Sequence, residues 1–253
     1  MRTAIISDIH GNLDALRVVL EHIESQQVDR IICLGDVLGY GPEPVECVDL
    51  IAEKCDWCLM GNHDFGVLYE PTNFNLAAEQ AAYWTRSCFE AEQDEAAAAR
   101  RWEFLGSLRV RVGFDSFLCV HGTPRRPINE YLFPEDAVNS PVKMQQIFER
   151  VDRYCLVGHT HVPGVFTDEP DFYPPQDLDG VYKLNDNEKA IINPGSVGQP
   201  RDLDPRSSYA ILDEEKMQVQ FHRLAYDVET VVQKIKAVPE LTDWLGERLR
   251  EGR

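Results

Sequence analysis

The chain has 253 residues, of which 43% are hydrophobic and 27% are charged, as is typical of a folded globular protein. This composition excludes a fibrous or disordered protein, and no apolar run reaches the roughly 18 residues that a membrane span needs. Acidic residues outnumber Lys and Arg by 43 to 25, for a net charge of −18. Nucleic acid and anionic membrane surfaces would be repelled, whereas a small anion held by metal ions is permitted because the ions dominate the local field.

The cysteines and the N-terminus predict the cellular compartment. Cys33, Cys58, Cys119 and Cys155 lie in or beside apolar runs, as buried free thiols do. The N-terminal segment reaches an acid at Asp8 and has no apolar core, so we do not expect it to be a signal peptide. The expected location is the reducing cytoplasm.

The first 60 residues alternate between strand and helix patterns. Apolar runs at 3–7, 30–34 and 57–60 predict strands, and apolar residues at helical spacing over 13–23 and 45–52 predict helices. A βαβαβ order implies right-handed crossovers and a parallel sheet, whose sites lie beyond the carboxyl ends of the strands.

The remainder is predicted to belong to the same single domain, residues 1–253. Residues 65–105 are expected to be a helical insertion over a cleft, with helices at 76–88 and 94–105, and terminal helices are expected at about 227–250. The segment 168–186, rich in Pro, Asp and Gly, predicts a loop. Further strands are predicted at 109–112, 117–120, 154–157, 190–192, 208–212 and 217–224.

Five short polar clusters each follow a predicted strand directly. They are Asp8-Ile9-His10, Gly35-Asp36, Gly61-Asn62-His63-Asp64, His121-Gly122 and Gly158-His159-Thr160-His161. Neighbouring strand ends lie side by side, so we expect these side chains to converge.

The residue types in these clusters indicate a metal site. Asp, His and Asn supply the oxygen and imidazole donors that divalent transition metals prefer. Five of the seven histidines lie in the clusters, and a surface or packing role is expected for the others, His22 and His222. A carboxylate such as Asp36 can bridge two ions, and two ions about 3.5–4 Å apart can clamp both oxygens of an in-line displacement at phosphorus.

In this order, the five clusters resemble the signature of the calcineurin-like metallophosphoesterases, and the segments 35–42 and 193–198 resemble its small bacterial branch. The resemblance implies an α/β fold, a four-layer α/β/β/α sandwich of two mixed sheets. It implies one divalent ion (Mn, Fe, Ni or Zn, the identity being open) held by Asp8, His10, Asp36 and His161, and a second held by Asp36, Asn62, His121 and His159. His63 would face the substrate and Asp64 would orient it.

The charges predict a mechanism for a phosphoester hydrolase. The positive charge left by two ions and two carboxylates would bind an anionic phosphate and lower the pKa of a bridging water. The resulting hydroxide would attack phosphorus in line. His63 would stabilise the developing charge or protonate the leaving oxygen.

Departures from the family pattern favour small phosphodiesters as substrates. Tyr40 and Met60 stand where the protein phosphatases of the family carry arginines, so the forks that bind a dianionic monoester are missing. Flexible Gly39 and Gly41 are expected to leave space beside Tyr40 for a second ester arm.

Other residues can also reach the phosphate. Asn62, His63 and Tyr40 are candidate substrate contacts, and Arg125 (or its neighbour Arg126) and Arg201 are possible phosphate ligands. The alternatives are a phosphomonoesterase, a nucleotide pyrophosphatase, or an interaction scaffold without catalysis, against which the presence of His63 argues. A small phosphate ester is the expected partner, and the oligomeric state is left open.

Overall fold

The computed structural model describes residues 1–185 and 187–253. The described residues form these strands in chain order: β1 (Arg2–Ile6), β2 (Arg30–Cys33), β3 (Trp57–Cys58), β4 (Val112–Phe114), β5 (Phe117–Cys119), β6 (Tyr154–Leu156), β7 (Gly164–Thr167), β8 (Asp171–Tyr173), β9 (Val181–Lys183), β10 (Ala190–Asn193), β11 (Ser207–Asp213) and β12 (Gln218–Leu224).

The helices lie mostly between the strands of the first half and at the C-terminal end. They are α1 (Leu13–Ser25), α2 (Pro44–Lys54), α3 (Asn62–Leu68), α4 (Leu76–Glu90), α5 (Glu95–Gly106), α6 (Asp136–Asn139), α7 (Pro141–Phe148), α8 (Val228–Lys236) and α9 (Asp243–Glu247), with short 3₁₀ helices at Pro175–Leu178 and Arg248–Glu251. None of the helices in the described ranges is long and apolar enough to cross a membrane.

The strands form two six-stranded mixed sheets. The first has the order β3-β2-β1-β11-β12-β9, and the second has the order β4-β5-β6-β10-β7-β8. In the first sheet β1, β2 and β3 are parallel, and in the second β5, β6 and β10 are parallel. The parallel strands therefore end at one edge of each sheet, and the predicted site residues follow these ends.

Apolar side chains place helices outside two facing sheets. In β1, Ile5 contacts the core shared by the two sheets, whereas its neighbours Ala4 and Ile6 contact the core beneath α1 and α2. This alternation is the period of two that a strand imposes. On the second sheet, α7 covers the outer face through Met144. The predicted α/β/β/α sandwich is confirmed.

The second half differs from the sequence prediction. The strand predicted at 109–112 is instead Val112–Phe114, because the Phe114 ring packs on the sheet core and stacks on Phe117. The predicted loop 168–186 is also wrong in part, since it contains β8 and β9; its last residue, Asp186, lies outside the described residues. These are three-residue edge strands: β8 pairs with the neighbouring β7, whereas β9 pairs with the distant β12.

Helices α3, α4 and α5 occupy most of the segment where the helical insertion is predicted. Asn75 and Asp94 cap α4 and α5 by accepting hydrogen bonds from backbone N–H groups of the first turn. Ala78 and Ala81 of α4 pack in one apolar cluster with Leu249 and Tyr40. This cluster brings the C-terminal helices against the loop that carries Tyr40.

Candidate functional site

Six of the seven predicted metal-binding side chains come together beyond the strand ends, and the seventh, Asn62, lines the same cavity as His159. The seven are Asp8 and His10 after β1, Asp36 after β2, Asn62 after β3, His121 after β5, and His159 and His161 after β6. Burying a charged or hydrogen-bonding side chain costs free energy unless the side chain has a partner. These side chains therefore need partners within the cluster.

One grouping contains Asp8, His10, Asp36 and His161, which are all buried and each offer one ligand atom within 4.8 Å of the others. The Nε2 atom of His161 lies 3.3 Å from Oδ1 of Asp8 and 3.2 Å from Nε2 of His10. Nε2 of His10 lies 3.7 Å from Oδ2 of Asp36. Two imidazoles and two carboxylates thus point at one small volume.

A second grouping shares Asp36 and adds His121 and His159, again within 4.8 Å. Oδ2 of Asp36 and Nε2 of His121 lie 3.3 Å apart, yet neither atom has a hydrogen-bond partner among the described residues. Oδ1 of Asn62 and Nε2 of His159 are likewise buried and unpartnered. Buried polar atoms in folded proteins almost always have a partner, so the three such atoms that lie together, on Asp36, His121 and His159, mark a place for another group.

Backbone carbonyls fix the orientation of three of the imidazoles. His10, His121 and His161 each place Nδ1 against a carbonyl oxygen, so the N–H donates outward and Nε2 faces the cluster. The acceptors are the carbonyls of Leu38 (3.0 Å), Leu34 (2.9 Å) and Gln199 (2.5 Å), respectively.

The electrostatics of the cluster favour a cation. Burial raises the pKa of Asp36, but the imidazoles of His121 and His63 more than offset it and hold that pKa well below its usual range. Burial lowers the pKa of His10 and of His159. Asp36 and Asp8 outweigh burial at His121 and raise its pKa to about 10. A cation bound here would therefore compete with a proton at His121.

Strained backbone accompanies the cluster. Asp8, His10, Asp36, His159 and His161 all have positive φ, between 50° and 68°. Such conformations cost about 1–3 kcal/mol each in residues other than glycine, and they concentrate where function over-determines the structure.

The donor set and its spacing fit metal ions. Carboxylate, amide and imidazole donors are the ligands of divalent transition metals. Two nitrogens that are each about 2.1 Å from one ion, at angles of about 90–110°, lie about 3.0–3.4 Å apart. The 3.2 Å between Nε2 of His10 and Nε2 of His161 is in this range.

His63 lies beside the cluster. Its ring centroid is 4.8 Å from that of His10, 4.3 Å from that of Tyr40 and 4.6 Å from that of Phe74. Neither ring nitrogen has a hydrogen-bond partner among the described residues. Gly39 packs so closely on this ring that a Cβ there would meet Nδ1, which leaves Nε2 as the nitrogen free to act.

The sequence predicts that Asp64 orients His63, but the Asp64 carboxylate does not contact the His63 imidazole. Its Oδ2 accepts the backbone N–H of Asp36 (2.8 Å) and of Gly61 (3.0 Å), and its Oδ1 accepts that of Leu38 (3.1 Å). The expected orienting contact is replaced because the carboxylate lies under the loop after β2. Asp64 therefore positions the backbone that carries Asp36.

A cavity of about 540 Å³ opens beside the cluster. Its wall includes the predicted ligands Asn62 and His159, together with His63 and Tyr40. The rest of the lining is Phe65, Glu70, Thr72, Asn73, Phe74, Asn75, Ala78, Val110, Arg126, Pro127, Ile128, Asn129 and Tyr131. The expected space beside Gly39 and Gly41 is absent, since both are buried and Gly41 lies against the backbone of Gly11.

The predicted arginines divide into two kinds. Arg125 forms an ion pair with Glu130 (2.5 Å) and donates to Gln146, so it does not face the cavity. Its neighbour Arg126 lines the cavity instead. Arg201 lies near the cluster, with its guanidinium carbon 5.9 Å from the centre of the Tyr40 ring.

Two aromatic residues that line the cavity, Tyr131 and Phe74, are not among the predicted site residues. The Tyr131 ring stacks on His159 at 3.8 Å, and Phe74 contacts His63. Both lie in loops outside the five polar clusters, and no sequence pattern distinguishes them. His22 and His222 pack around Tyr209, with Nδ1 of His22 2.8 Å from the phenol oxygen.

Comparisons with known proteins agree with this geometry. The model of the calcineurin-like phosphoesterase superfamily domain matches residues 1–217. An uncharacterised protein of Methanocaldococcus jannaschii is 37% identical over 257 residues, which cover 99% of this chain and 98% of that protein.

A solved structure and a partial relative add to this similarity. The crystal structure of a metallophosphoesterase from Sphaerobacter thermophilus has a TM-score of 0.84 and 36% identity, with 100% of this chain and 99% of that chain covered. A symmetrical bis(5'-nucleosyl)-tetraphosphatase of Psychromonas ingrahamii is 32% identical over 71 residues, 27% of this chain and 26% of that protein.

Proposed function

Because the chain belongs to the calcineurin-like phosphoesterase superfamily, we propose that it is a metal-dependent phosphoric ester hydrolase that cleaves small phosphodiesters. The observation that carries the proposal is the pair of buried groupings that share Asp36 and lie beside a cavity of about 540 Å³.

Two divalent ions would occupy the two groupings. Asp8, His10, Asp36 and His161 would hold one ion, and Asn62, His121 and His159 would hold the other together with Asp36. When bound, the ions supply the positive charge that holds the phosphate and activates the water nucleophile.

His63 would assist departure of the leaving group. It lines the cavity, and its Nε2 has no competing partner among the described residues. Burial lowers the pKa of His63 to about 4, so the ring is neutral near pH 7, and with its N–H at Nε2 it would donate a hydrogen bond to the leaving oxygen. The edge contact with His10 would hold the ring next to the ion without making it a ligand. Asn62, adjacent in the chain, would contact both ion and substrate.

The surroundings of the cluster favour a diester. A monoester carries a charge of about −1.5 to −2 near pH 7 and needs cationic forks beyond the ions. At the two positions where forks are expected, Met60 is buried in the core and Tyr40 presents a ring rather than a guanidinium. Of the nearby arginines, Arg201 uses Nε and Nη2 to donate to Gln199. A diester is a monoanion, and the cavity lined by Phe74 and Tyr131 has room for its second arm.

Matched substrates test this preference. We expect kcat/KM for an aryl diester to exceed that for the monoester of the same aryl group by at least about tenfold, or roughly 1.4 kcal/mol. A monoester preference would contradict the diester assignment alone. Full activity after removal of metal by EDTA would contradict metal dependence.

A nucleotide pyrophosphatase is the second candidate. The partial similarity to a symmetrical bis(5'-nucleosyl)-tetraphosphatase motivates it, and the aromatic and asparagine side chains of the cavity suit a nucleobase. Adding a dinucleoside tetraphosphate to the same assay distinguishes the phosphodiesterase from the nucleotide pyrophosphatase. If the protein is a pyrophosphatase, we expect this compound to be the best substrate.

A further inference from the structure

Among the described residues, no backbone carbonyl orients the His159 imidazole. The other three proposed ligand rings, those of His10, His121 and His161, each direct Nδ1 at a carbonyl oxygen. Neither ring nitrogen of His159 has a hydrogen-bond partner in the described part of the chain. Its backbone N–H donates to the Asp8 carboxylate (3.2 Å), which fixes the main chain but not the ring. Since a metal-binding histidine almost always has a partner that fixes its ring, another contact is needed here.

An aromatic stack supplies this contact. The Tyr131 ring lies on the His159 imidazole, with centroids 3.8 Å apart and planes inclined by 21°. The His121 ring is farther away, at 5.0 Å and 59°. Phe133 stacks on Tyr131 at 5.1 Å with planes 5° apart. Because the described structure has no ring contact between Phe133 and His159, Phe133 covers the opposite face of Tyr131.

The neighbours of Tyr131 in the chain hold its ring in place. Glu130 forms an ion pair with Arg125 (2.5 Å), and Leu132 is buried in the apolar core beneath α7. The carbonyl oxygen of Tyr131 itself accepts a hydrogen bond from Nζ of Lys143 (2.7 Å). Hydrogen bonds to charged groups are the strong ones, so the backbone is fixed on both sides of the ring.

The ring of Tyr131, rather than its hydroxyl, makes the contact with His159. None of the described residues is hydrogen-bonded to this hydroxyl. Stacked aromatic rings attract each other, and a positive charge is stabilised over an aromatic face. An imidazole that binds a divalent ion takes up part of the positive charge of the ion. The stack should therefore become stronger when His159 binds metal, and phenylalanine should be able to replace Tyr131.

We infer that Tyr131 is the positioning residue of His159, and that its stack does for this imidazole what a backbone carbonyl does for the other three. Rings lie on both faces of Tyr131, so its edge is what faces the cavity that it lines. The role in metal binding rests on the proposed function, whereas the orientation of the His159 ring by Tyr131 does not.

Proton resonances of the His159 ring test the orientation without metal or catalysis. A stacked aromatic ring shifts protons over its face to high field, so the metal-free wild type should show displaced His159 ring protons. We expect Tyr131→Phe to keep this displacement and Tyr131→Leu to lose it. The control Tyr83→Leu removes an exposed tyrosine of α4 and should change nothing. Identical His159 shifts in the wild type and Tyr131→Leu would overturn the inference.

Metal titration tests what the orientation achieves. Co²⁺ is titrated into the same four metal-free proteins, and bound ions are followed by equilibrium dialysis and by the visible absorption of bound Co²⁺. We expect two ions in each protein, with one of them bound about 10–100-fold more weakly in Tyr131→Leu alone, as is typical when a ligating histidine loses its partner. Saturating Co²⁺ should restore kcat of Tyr131→Leu on the diester and leave KM unchanged.

Three other results would have different meanings. Equal affinity for both ions in all four proteins would overturn the positioning role of Tyr131. Unchanged metal affinity with a raised KM at saturating Co²⁺ would overturn it too, and would make Tyr131 a substrate contact. If the His159 shifts follow the expected pattern while none of the proteins binds Co²⁺, the proposed function fails and the orientation of His159 by Tyr131 stands.

Discussion

The Nε2 atoms of His10 and His161 face each other at 3.2 Å, while the Nδ1 atom of each ring lies against a backbone carbonyl. A neutral imidazole has one N–H, and here the carbonyl takes it. Two acceptor nitrogens therefore confront each other beside the Asp8 and Asp36 carboxylates. Only a cation satisfies all four groups at once, and this is the physical basis of the proposed metal centre.

His63→Ala should separate catalysis from metal binding. Because the His63 ring touches His10 without joining either grouping, the variant should keep the metal content of the wild type. Loss of this hydrogen-bond donor should lower kcat by about 10²–10³-fold. His22→Ala, which removes a histidine that packs against Tyr209, is the matched control. Loss of metal in His63→Ala would make His63 a ligand, and unchanged turnover would remove it from the reaction.

Asp64→Asn should weaken metal binding through the backbone. The carboxylate accepts three N–H groups, from Asp36, Leu38 and Gly61, whereas an amide offers one acceptor oxygen and turns an N–H toward another. An unsatisfied buried donor costs about 1–3 kcal/mol, so the melting temperature should fall by several degrees, together with metal affinity.

Thermal melts and metal titration of Asp64→Asn provide the measurement. Asp227→Asn is the control, because Asp227 is an N-cap, where Asn serves equally well. A lower kcat with unchanged melting temperature and metal affinity would instead mean that Asp64 acts on the reaction itself.

His222→Phe should flatten the acid side of the stability profile. Burial, then His22 and Arg2, lower the pKa of His222 to about 4, below the usual 6.5. The unfolded chain therefore binds more protons between these values, and the folded state loses stability as pH falls from about 6.5 to about 4. Phe keeps the stack on Tyr209 but cannot titrate.

Denaturant midpoints at pH 7 and pH 4.5 measure this effect. The drop between the two pH values should be smaller in His222→Phe than in the wild type, since contributions from the metal-site histidines are common to both proteins. An equal drop would show that His222 does not titrate as its burial requires.

The sequence predicts the position of those site residues that directly follow parallel strands. Asp8, Asp36 and His121 follow parallel strands, and the ends of such strands meet whatever the loops do. The role of Asp64 was not predictable, because its partners are backbone N–H groups of another loop.

The strands show the same contrast between features that the sequence predicts and features that it does not. The β8 and β9 strands have three residues each. β8 pairs with β7 across a chain reversal and β9 pairs with β12, which is far from it in sequence, so local composition alone indicates a loop. The buried β11, by contrast, is apolar enough to be read directly, and the structure extends the predicted 208–212 by one residue at each end.

Counting bound metal in the wild type and in Asp36→Asn tests the central claim most directly. Asp36 belongs to both groupings, so its loss should affect both ions, whereas the exposed control Asp243→Asn should change nothing. After equilibration with Mn²⁺ and gel filtration, elemental analysis should find two ions per wild-type chain, less than one in Asp36→Asn, and diester hydrolysis that falls in parallel. A wild-type protein that holds no metal yet hydrolyses the diester at full rate, or an Asp36→Asn variant with unchanged metal content, would contradict the account.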